Sequence, residues 1–486
     1  MGILNEKRCK IKKMNKTYNN ILYVIMLWTD KVKKILSKYF NNIELKDKQI
    51  DVINELLSGN DVIGLLPTGY GKSMCYIIPP LITKKTIFVI SPLISLMEDQ
   101  KDNLLKKNIN VSTLHCNNKN KQEEIFKIID GDIKIVYMSP EYLIEGDGID
   151  LALALIDKNM LGFLAVDESH CISSWGHDFR PNYLKLKMFR DQFKNIPILA
   201  LTATAKDAVV DEIIKLLNLT NPKIISTSFD RPNLHIICKE MPKEPKYSAK
   251  GIAMKNKKGE FIMKNIDKWI IVQDYIKKYP NDKIIIYVNS RADTEELAND
   301  INNNLQKCSV AYHAGLSKNI RDQVQNEFNE DKIKVIISTI AFGMGIDQIV
   351  RCVLIFGCPS SIEEYYQQIG RGGRDGLYCE TVLFFDMSGF MRSKSMIDRE
   401  IKNPKLKNIR LSNIDKVCYY YKTDTCRRKY ILKYFGQESN NNCNNCDNCL
   451  YKKSIKNKQV SPVNSEIELI DPFDKIDNIC KKIGVI

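Results

Sequence analysis

Two glycines, a lysine and a hydroxyl residue share seven positions, Pro67-Thr68-Gly69-Tyr70-Gly71-Lys72-Ser73, and together they suit a loop that wraps a phosphate chain. Glycines turn backbone N–H groups toward phosphate oxygens, Lys72 supplies a point charge to the β- and γ-phosphates, and Ser73 offers its hydroxyl to Mg²⁺. An apolar run, Asp61 to Leu66, precedes the loop and a helix-like stretch follows it. Strand, loop and helix in that order predict an ATP site that begins at Leu66. The partner for Mg²⁺ should be an acid ending a neighbouring buried strand, and Leu161-Gly162-Phe163-Leu164-Ala165-Val166-Asp167-Glu168 supplies two. Asp167 would hold the metal through its water shell, and Glu168 would polarise the attacking water. The competing reading, an exposed acidic turn, fits poorly with six preceding apolar or small residues.

A second cluster is Cys443-Asn444-Asn445-Cys446-Asp447-Asn448-Cys449, three thiols at x₂ spacing among small polar residues. A tetrahedral Zn²⁺ asks for a fourth ligand, and Cys418 and Cys426 lie nearest upstream. Four thiolates leave no open coordination position, so such a site would be structural. Free thiols and an iron–sulfur group are the alternatives. The other cysteines of the fifteen are scattered and read as small buried hydrophobes, which points to a reducing, intracellular compartment.

The elements that must carry these residues follow from the hydropathy pattern. Asp61 to Leu66, Thr86 to Ser91, Ile133 to Met138, Leu161 to Asp167 and Ile198 to Thr202 are short apolar, β-branched runs separated by helical periods. The pattern restarts with Lys283 to Asn289, Ser309 to His313, Val335 to Thr339 and Val353 to Gly357, interleaved with helices at Asp293 to Leu305 and Ile320 to Phe328. Strands alternating with helices mean buried parallel sheets, so the fold class is α/β with two such domains in tandem. Met241 to Lys268 is Lys-rich, carries Pro242 and Pro245, and reads as a linker with an inserted loop. After Phe385 the strands stop, and Ser388 to Gln437 reads as helical and basic. A short helix is expected near Ile467.

With 486 residues there is room for two to four domains, and a net charge of +15 favours a polyanionic partner such as nucleic acid over a merely Lys-rich surface. No apolar run reaches 18 residues, so no membrane segment is expected. Ile21 to Trp28 has the length of a signal-peptide core but no small-residue cleavage site after it, and reads instead as a packed helix.

Asp167-Glu168-Ser169-His170 resembles the DEAD/DEAH-type box of superfamily 2 helicases, and Cys171-Ile172-Ser173-Ser174-Trp175-Gly176-His177-Asp178-Phe179-Arg180-Pro181 resembles the aromatic-rich loop of RecQ helicases. The resemblance runs from about Asp30 to Leu450. Ser91 to Met97 and Ser139-Pro140-Glu141 are similar to family segments that touch the nucleic-acid backbone, Leu201-Thr202-Ala203-Thr204-Ala205 to the coupling segment, and Ser228 to Asn233 to the passage between domains. A nucleotide site lying between two domains needs positive groups from the second. Gln367-Gln368-Ile369-Gly370-Arg371-Gly372-Gly373-Arg374-Asp375-Gly376 resembles the last helicase motif, and Ser338 to Asp347 the motif before it. That marks Arg371 and Arg374 as the phosphate-sensing and finger arginines.

The resemblance implies two RecA-like domains, residues 31–232 and 271–386, joined by a linker at 233–270. An N-terminal extension (1–30), a helical zinc-binding subdomain (387–452) and a short tail (453–486) complete the expected division. It also implies 3′ to 5′ travel on single-stranded DNA and action on tailed duplexes. Trp175 and Phe179 would offer π-faces to unstacked bases, and His177 and Arg180 would report DNA contact to Glu168; for Trp175 a core anchor is the bland alternative. Cys426-Arg427-Arg428 and Tyr434-Phe435-Gly436 resemble the family's zinc subdomain, which selects Cys426 over Cys418.

The pattern departs from the family in two places. The family's ATP-site glutamine that reads the adenine edge is retained as Gln49, but Asn42 and Lys46 stand where an aromatic and an Arg flank the base, so selectivity for adenine is expected to weaken. The 36 residues after Leu450 are too few for the winged-helix and helical DNA-binding domains that family members often carry. Two other readings stand beside a DNA helicase: an RNA helicase of the wider superfamily, and a non-catalytic DNA-binding or strand-annealing scaffold. The protein is expected to be a monomer in the nucleus or cytoplasm, acting in repair, recombination or replication.

Overall fold

The computed structural model describes residues 30–115, 120–173, 180–203, 206–248, 253–256, 258–305, 308–339 and 348–456. The Ile21 to Trp28 run and the helix expected near Ile467 lie outside them. The chain divides into two compact units, the first reaching Phe229 and the second starting at Asp230.

In the first unit, β1 (Val62–Leu65), β2 (Thr86–Ile90), β3 (Val111–Leu114), β4 (Ile135–Met138), β5 (Leu161–Val166), β6 (Ile198–Thr202) and β7 (Lys223–Ser226) form one sheet. Its order is β3-β4-β2-β5-β6-β1-β7, with every pair parallel. Successive side chains on a strand point to opposite faces, and both faces here are dry. Ile63, Phe88, Ile90, Leu164 and Val166 meet helices such as Gly148–Asp157 and Asp207–Leu216 on one side. Val62, Ile87, Val89, Phe163 and Ala165 meet Asp47–Leu57 and Met74–Thr83 on the other. Burial of each larger side chain among these contributes roughly 1.5–3 kcal/mol.

The first strand is shorter than its apolar run because Asp61 is used differently. Its carboxylate is buried and accepts hydrogen bonds from Arg190 Nη2, Ile198 N at 2.9 Å and Thr220 N at 2.8 Å, tying β1 to the start of β6. β3 and β7 are strands the hydropathy pattern does not announce. Ser112 and Thr113 make β3 half polar, and β7 is an exposed edge.

In the second unit, β8 (Leu234–Glu240) is followed by β9 (Lys243–Pro245) and β10 (Met263–Asn265), which pair antiparallel. β11 (Lys283–Tyr287), β12 (Ser309–Tyr312), β13 (Val335–Ser338), β14 (Val350–Phe356) and β15 (Cys379–Phe385) join β8 in a parallel sheet of order β12-β13-β11-β14-β15-β8. The segment expected as a linker is thus structured at both ends. Residues 234–240 pair along the whole of β15, with Leu234 and Ile236 buried. Flanking prolines Pro232 and Pro242 make this strand look like connecting chain in the sequence. Helices Met387–Glu400, Pro404–Lys422, Arg427–Tyr434 and Asp447–Lys456 follow the last strand. No helix among the described residues is long and apolar enough to cross a membrane.

Because Asp61 and Arg190 are both buried, removing one strands the other's charge. Arg190→Ala should cost about 3 kcal/mol, read as a lowered urea midpoint of the first unit. An unchanged midpoint would show that the two backbone N–H groups alone satisfy Asp61.

Candidate active site and metal centre

A parallel sheet places the carboxyl ends of its strands together. The loop after β1, the acids after β5 and Thr202 at the end of β6 are therefore neighbours, although up to about a hundred and thirty residues separate them. In the loop, Gly69 (φ 77°) and Gly71 (φ 83°) occupy the left-handed region. Pro67 O accepts from Tyr70 N at 3.1 Å, and Ser73 immediately precedes the helix Met74–Thr83 without a side-chain cap hydrogen bond. Leu66, Pro67 and Thr68 are buried, Gly69 is exposed, and Lys72 and Ser73 are half-buried.

Gln49 enters this loop in a way its sequence position does not reveal. It is buried on the first turn of Asp47–Leu57, and its Nε2 donates to Tyr70 O at 3.0 Å and Gly71 O at 2.8 Å. Its Oε1 accepts from Lys46 N at 2.8 Å. Both amide hydrogens thus hold the loop backbone. A Cβ on Gly71 would stand 2.6 Å from Gln49 Nε2, so glycine is required there for close approach as well as for its φ. Lys46, at the family's stacking position, lies 4.6 Å from the centroid of the Tyr70 ring and 3.4 Å from Gly69 O.

Asp167 is half-buried at the end of β5. Desolvation and the neighbouring Glu168 carboxylate push it up to about 7, against the pull of the Lys72 ammonium. Lys72 and Asp167 therefore share one electrostatic environment. Glu168 has a left-handed backbone (φ 47°, ψ 45°), a conformation that costs a non-glycine residue on the order of 1 kcal/mol. Its N–H donates to Asp167 Oδ1 at 3.0 Å. Glu168 Oε2 is buried without a hydrogen bond among the described residues, 3.3 Å from His170 Nδ1. His170 Nδ1 also lies 2.9 Å from Thr202 Oγ1, and Ser169 is fully buried beside it. Two converging carboxylates, one with an unbonded oxygen, fit a divalent cation, which would favour the ionised form of Asp167.

Arg180 donates to Pro92 O at 2.7 Å, joining the chain beyond the box to the loop after β2. Trp175, His177 and Phe179 lie outside the described residues. In the second unit, Arg371 and Arg374 both stand near Tyr287 at the end of β11. Burial pushes the Tyr287 hydroxyl up while the two guanidiniums pull it down. Their loop is held by Arg231 Nη2, donating to Gly372 O at 2.8 Å and Gly373 O at 2.9 Å, and by Asn233 Nδ2, donating to Gly373 O at 2.8 Å. Arg351 closes it with two hydrogen bonds to Asp375, whose carboxyl they hold down at about 2.

Cys426, Cys443, Cys446 and Cys449 have their sulfurs within 4.8 Å of one another. Cys443 N donates to Cys426 Sγ and Asn445 N to Cys443 Sγ, both at 3.4 Å, as suits thiolates. Cys418, the other upstream candidate, is buried in Pro404–Lys422 and is not part of the cluster. This donor set is that of a closed structural Zn²⁺ site. Arg427 anchors it by donating to Asp447 Oδ1 at 2.9 Å, while Arg428 donates to Asp230 Oδ1 at 2.8 Å and Leu234 O at 2.7 Å.

Comparison with known proteins assigns the family. Residues 46–213 match the DEAD/DEAH box helicase family, 267–376 the helicase conserved C-terminal domain, and 387–450 the RecQ zinc-binding domain. An Acanthamoeba polyphaga mimivirus protein, named as an ATP-dependent RNA helicase, is 37% identical over 90% of this chain and 76% of its own length. The ATP-dependent DNA helicase RecQ of Haemophilus influenzae is 37% identical over 84% of this chain and 62% of its own. The chain belongs to the RecQ family of superfamily 2 helicases.

Other RecQ-type relatives are longer. The ATP-dependent helicase SGS1 of Saccharomyces cerevisiae is 36% identical over 94% of this chain, which spans 30% of that protein. Among solved structures, Mycobacterium smegmatis helicase Lhr bound to ssDNA and AMP-PNP shares the fold, with TM-score 0.53 and 19% identity over 72% of this chain and 47% of that one. So does the DUF1998 helicase MrfA bound to DNA, with TM-score 0.57 and 16% identity over 90% of this chain and 61% of that one. Three features escape sequence reading: the Gln49 clamp on loop carbonyls in the first unit and, in the second, Tyr287 near the arginines and the Arg231–Asn233 brace. Each depends on long-range contacts to backbone oxygens or on enclosure by remote strands.

Gln49→Ala removes two hydrogen bonds that order the loop, so KM should rise on the order of tenfold, for ATP and GTP alike. A rise confined to ATP would instead assign Gln49 to base reading. Cys446→Ser should lower bound zinc from one ion per chain toward none by metal analysis, together with earlier thermal unfolding of the second unit.

Proposed function

We propose that this chain hydrolyses ATP to travel 3′ to 5′ along single-stranded DNA and to part tailed duplexes, hydrolysis driving movement between its two units. The observation that carries this reading is the meeting of Lys72 with Asp167 and Glu168 at one end of a single parallel sheet. Lys72 would hold the β- and γ-phosphates, and the N–H groups of residues 69–73 would surround them. Ser73 and Asp167 would hold Mg²⁺, which supplies charge neutralisation at the phosphates. Glu168 would accept the proton of the attacking water, with His170, 3.3 Å from its Oε2, steadying the carboxylate. Arg371 and Arg374 would supply the positive charge that phosphoryl transfer requires. The tetrathiolate Zn²⁺ would be structural.

DNA is the favoured track because residues 387–450 match the RecQ zinc-binding domain and relatives similar over most of this chain include proteins named as DNA helicases. The mimivirus relative's name keeps RNA as the second reading. Stimulation of ATP turnover by single-stranded DNA well above that by RNA of equal length supports the first and its reverse the second. The protein is further proposed to act as a monomer inside the cell.

Lys72→Ala should reduce ATP turnover by at least about a hundredfold, since the phosphate-binding charge acts directly in phosphoryl transfer. Binding of a single-stranded oligonucleotide should persist. Wild-type protein should displace the strand of a 3′-tailed duplex with ATP and leave a 5′-tailed one paired. Displacement from the 5′ tail alone would reverse the proposed polarity, and turnover by the Lys72 variant equal to wild type would remove the ATPase assignment.

A further inference from the structure

The segment between β8 and the helix Lys268–Lys278 is unexplained by the helicase core, and residues 214–266 fall between the two helicase matches. It is a built element. Met241 N donates to Phe385 O at 2.9 Å, fixing its start to the second sheet, and Ile266 N donates to Pro242 O at 2.9 Å, tying its end to its start. Beyond β9 and β10, single bridges continue the pairing at Tyr247 with Ala253 and at Lys255 with Phe261. The tip is closed by Asn256, whose Oδ1 accepts from Lys258 N at 2.9 Å and Glu260 N at 3.0 Å, with Gly259 at φ 80°.

Its two faces differ. Met263 pairs with Pro245, and a period of two places Phe261 and Tyr247 on that same face. Tyr247, Phe261 and Met263 are 55%, 52% and 48% exposed. A face with aromatic side chains turned to solvent usually meets a partner. The charge identifies which kind: residues 241–268 hold eight lysines against three acids. Glu244 is already paired with Lys264 at 3.0 Å, and Glu260 accepts from Asn256 Nδ2 at 2.8 Å, so two of the acids are engaged inside the ribbon. Lys246, Lys255 and Lys258 are exposed, and Lys255 Nζ lies 4.9 Å from the centroid of the Phe261 ring. Cations beside open aromatic faces suit a strand that offers phosphates and unstacked bases together.

The ribbon also leaves the sheet at the productive end. It grows from the carboxyl end of β8, the same end of the sheet that carries Tyr287 of β11, three strands or roughly 14 Å away.

Resting on the helicase reading, we infer that this ribbon is a second single-stranded nucleic-acid grip, with Lys246, Lys255 and Lys258 on phosphates and Tyr247 and Phe261 stacking on bases. The tip is ordered by Asn256 before binding, which lowers the cost of engagement.

The test measures anisotropy of a labelled oligothymidylate with the full chain across a salt series. Lys246→Ala/Lys255→Ala/Lys258→Ala should flatten the slope of log affinity against log salt by about 2, at roughly 0.7 per phosphate contact on a single strand. Tyr247→Ala/Phe261→Ala should lower affinity on the order of tenfold with the slope unchanged. DNA-independent ATP turnover and thermal midpoint should match wild type in both. Variants that bind as wild type does, with the same slope, overturn the inference and leave the helicase reading standing. A wild-type chain that binds no oligonucleotide would instead remove the helicase reading itself.

Discussion

Every strand of the first sheet runs the same way, and that constraint creates the site. A parallel sheet needs covered faces, so its central strands are largely apolar on both sides. Polar residues therefore collect at one edge of the sheet. Lys72, Asp167 and Thr202 meet there because β1, β5 and β6 are neighbours in space though distant in sequence. The same desolvation that stabilises the strands acts on Asp167 and makes its ionisation sensitive to the cation beside it. Glu168, one residue on, takes a strained backbone that the packed turn around it holds.

Much of this was legible from residues alone, wherever one local pattern sufficed. Glycines and Lys72 after an apolar strand announce a phosphate loop, and six apolar or small residues before Asp167 announce a buried strand ending in acids. The spacing of Cys443, Cys446 and Cys449 announces a metal, and the structure brings Cys426 to them while Cys418 stays within its helix. What local pattern cannot carry is partnership. β3 and β7 hold too much polarity or exposure to read as strands, and β8 is recognisable only beside β15. Gln49 reads as a base contact by analogy, yet its hydrogens go to Tyr70 O and Gly71 O, which no spacing rule foretells. The stretch from Met241 to Lys268 has neither a helical nor a strand period. Its order comes from short pairings and from one asparagine at the tip.

The second unit depends on a different device. Its arginine loop is short and glycine-rich, so it cannot hold its own shape. Arg231 and Asn233 brace its carbonyls, and a Cβ on Gly373 would stand 2.4 Å from Asn233 Nδ2. Arg231 and Asn233 lie just before β8, and Arg428 of the cysteine module grips Asp230 and Leu234 on either side of them. Mechanical support for the arginines therefore passes through the zinc module by a chain of hydrogen bonds between named groups.

The outer side of β8 shows what else that module does. Asn445, Cys446 and Asp447 lie along it: Ile236 bridges Cys446 in parallel, Cys238 N donates to Asp447 Oδ2 at 2.8 Å, and the His235 ring lies 3.0 Å from Asn445 O. The loop that wraps the ion is thus the cover on an open sheet margin. Stripped of metal, the molecule would present a row of vacant amides and carbonyls, able to zip onto the same row of another copy. Scarcity of zinc would then appear as insoluble protein as well as a slackened arginine loop.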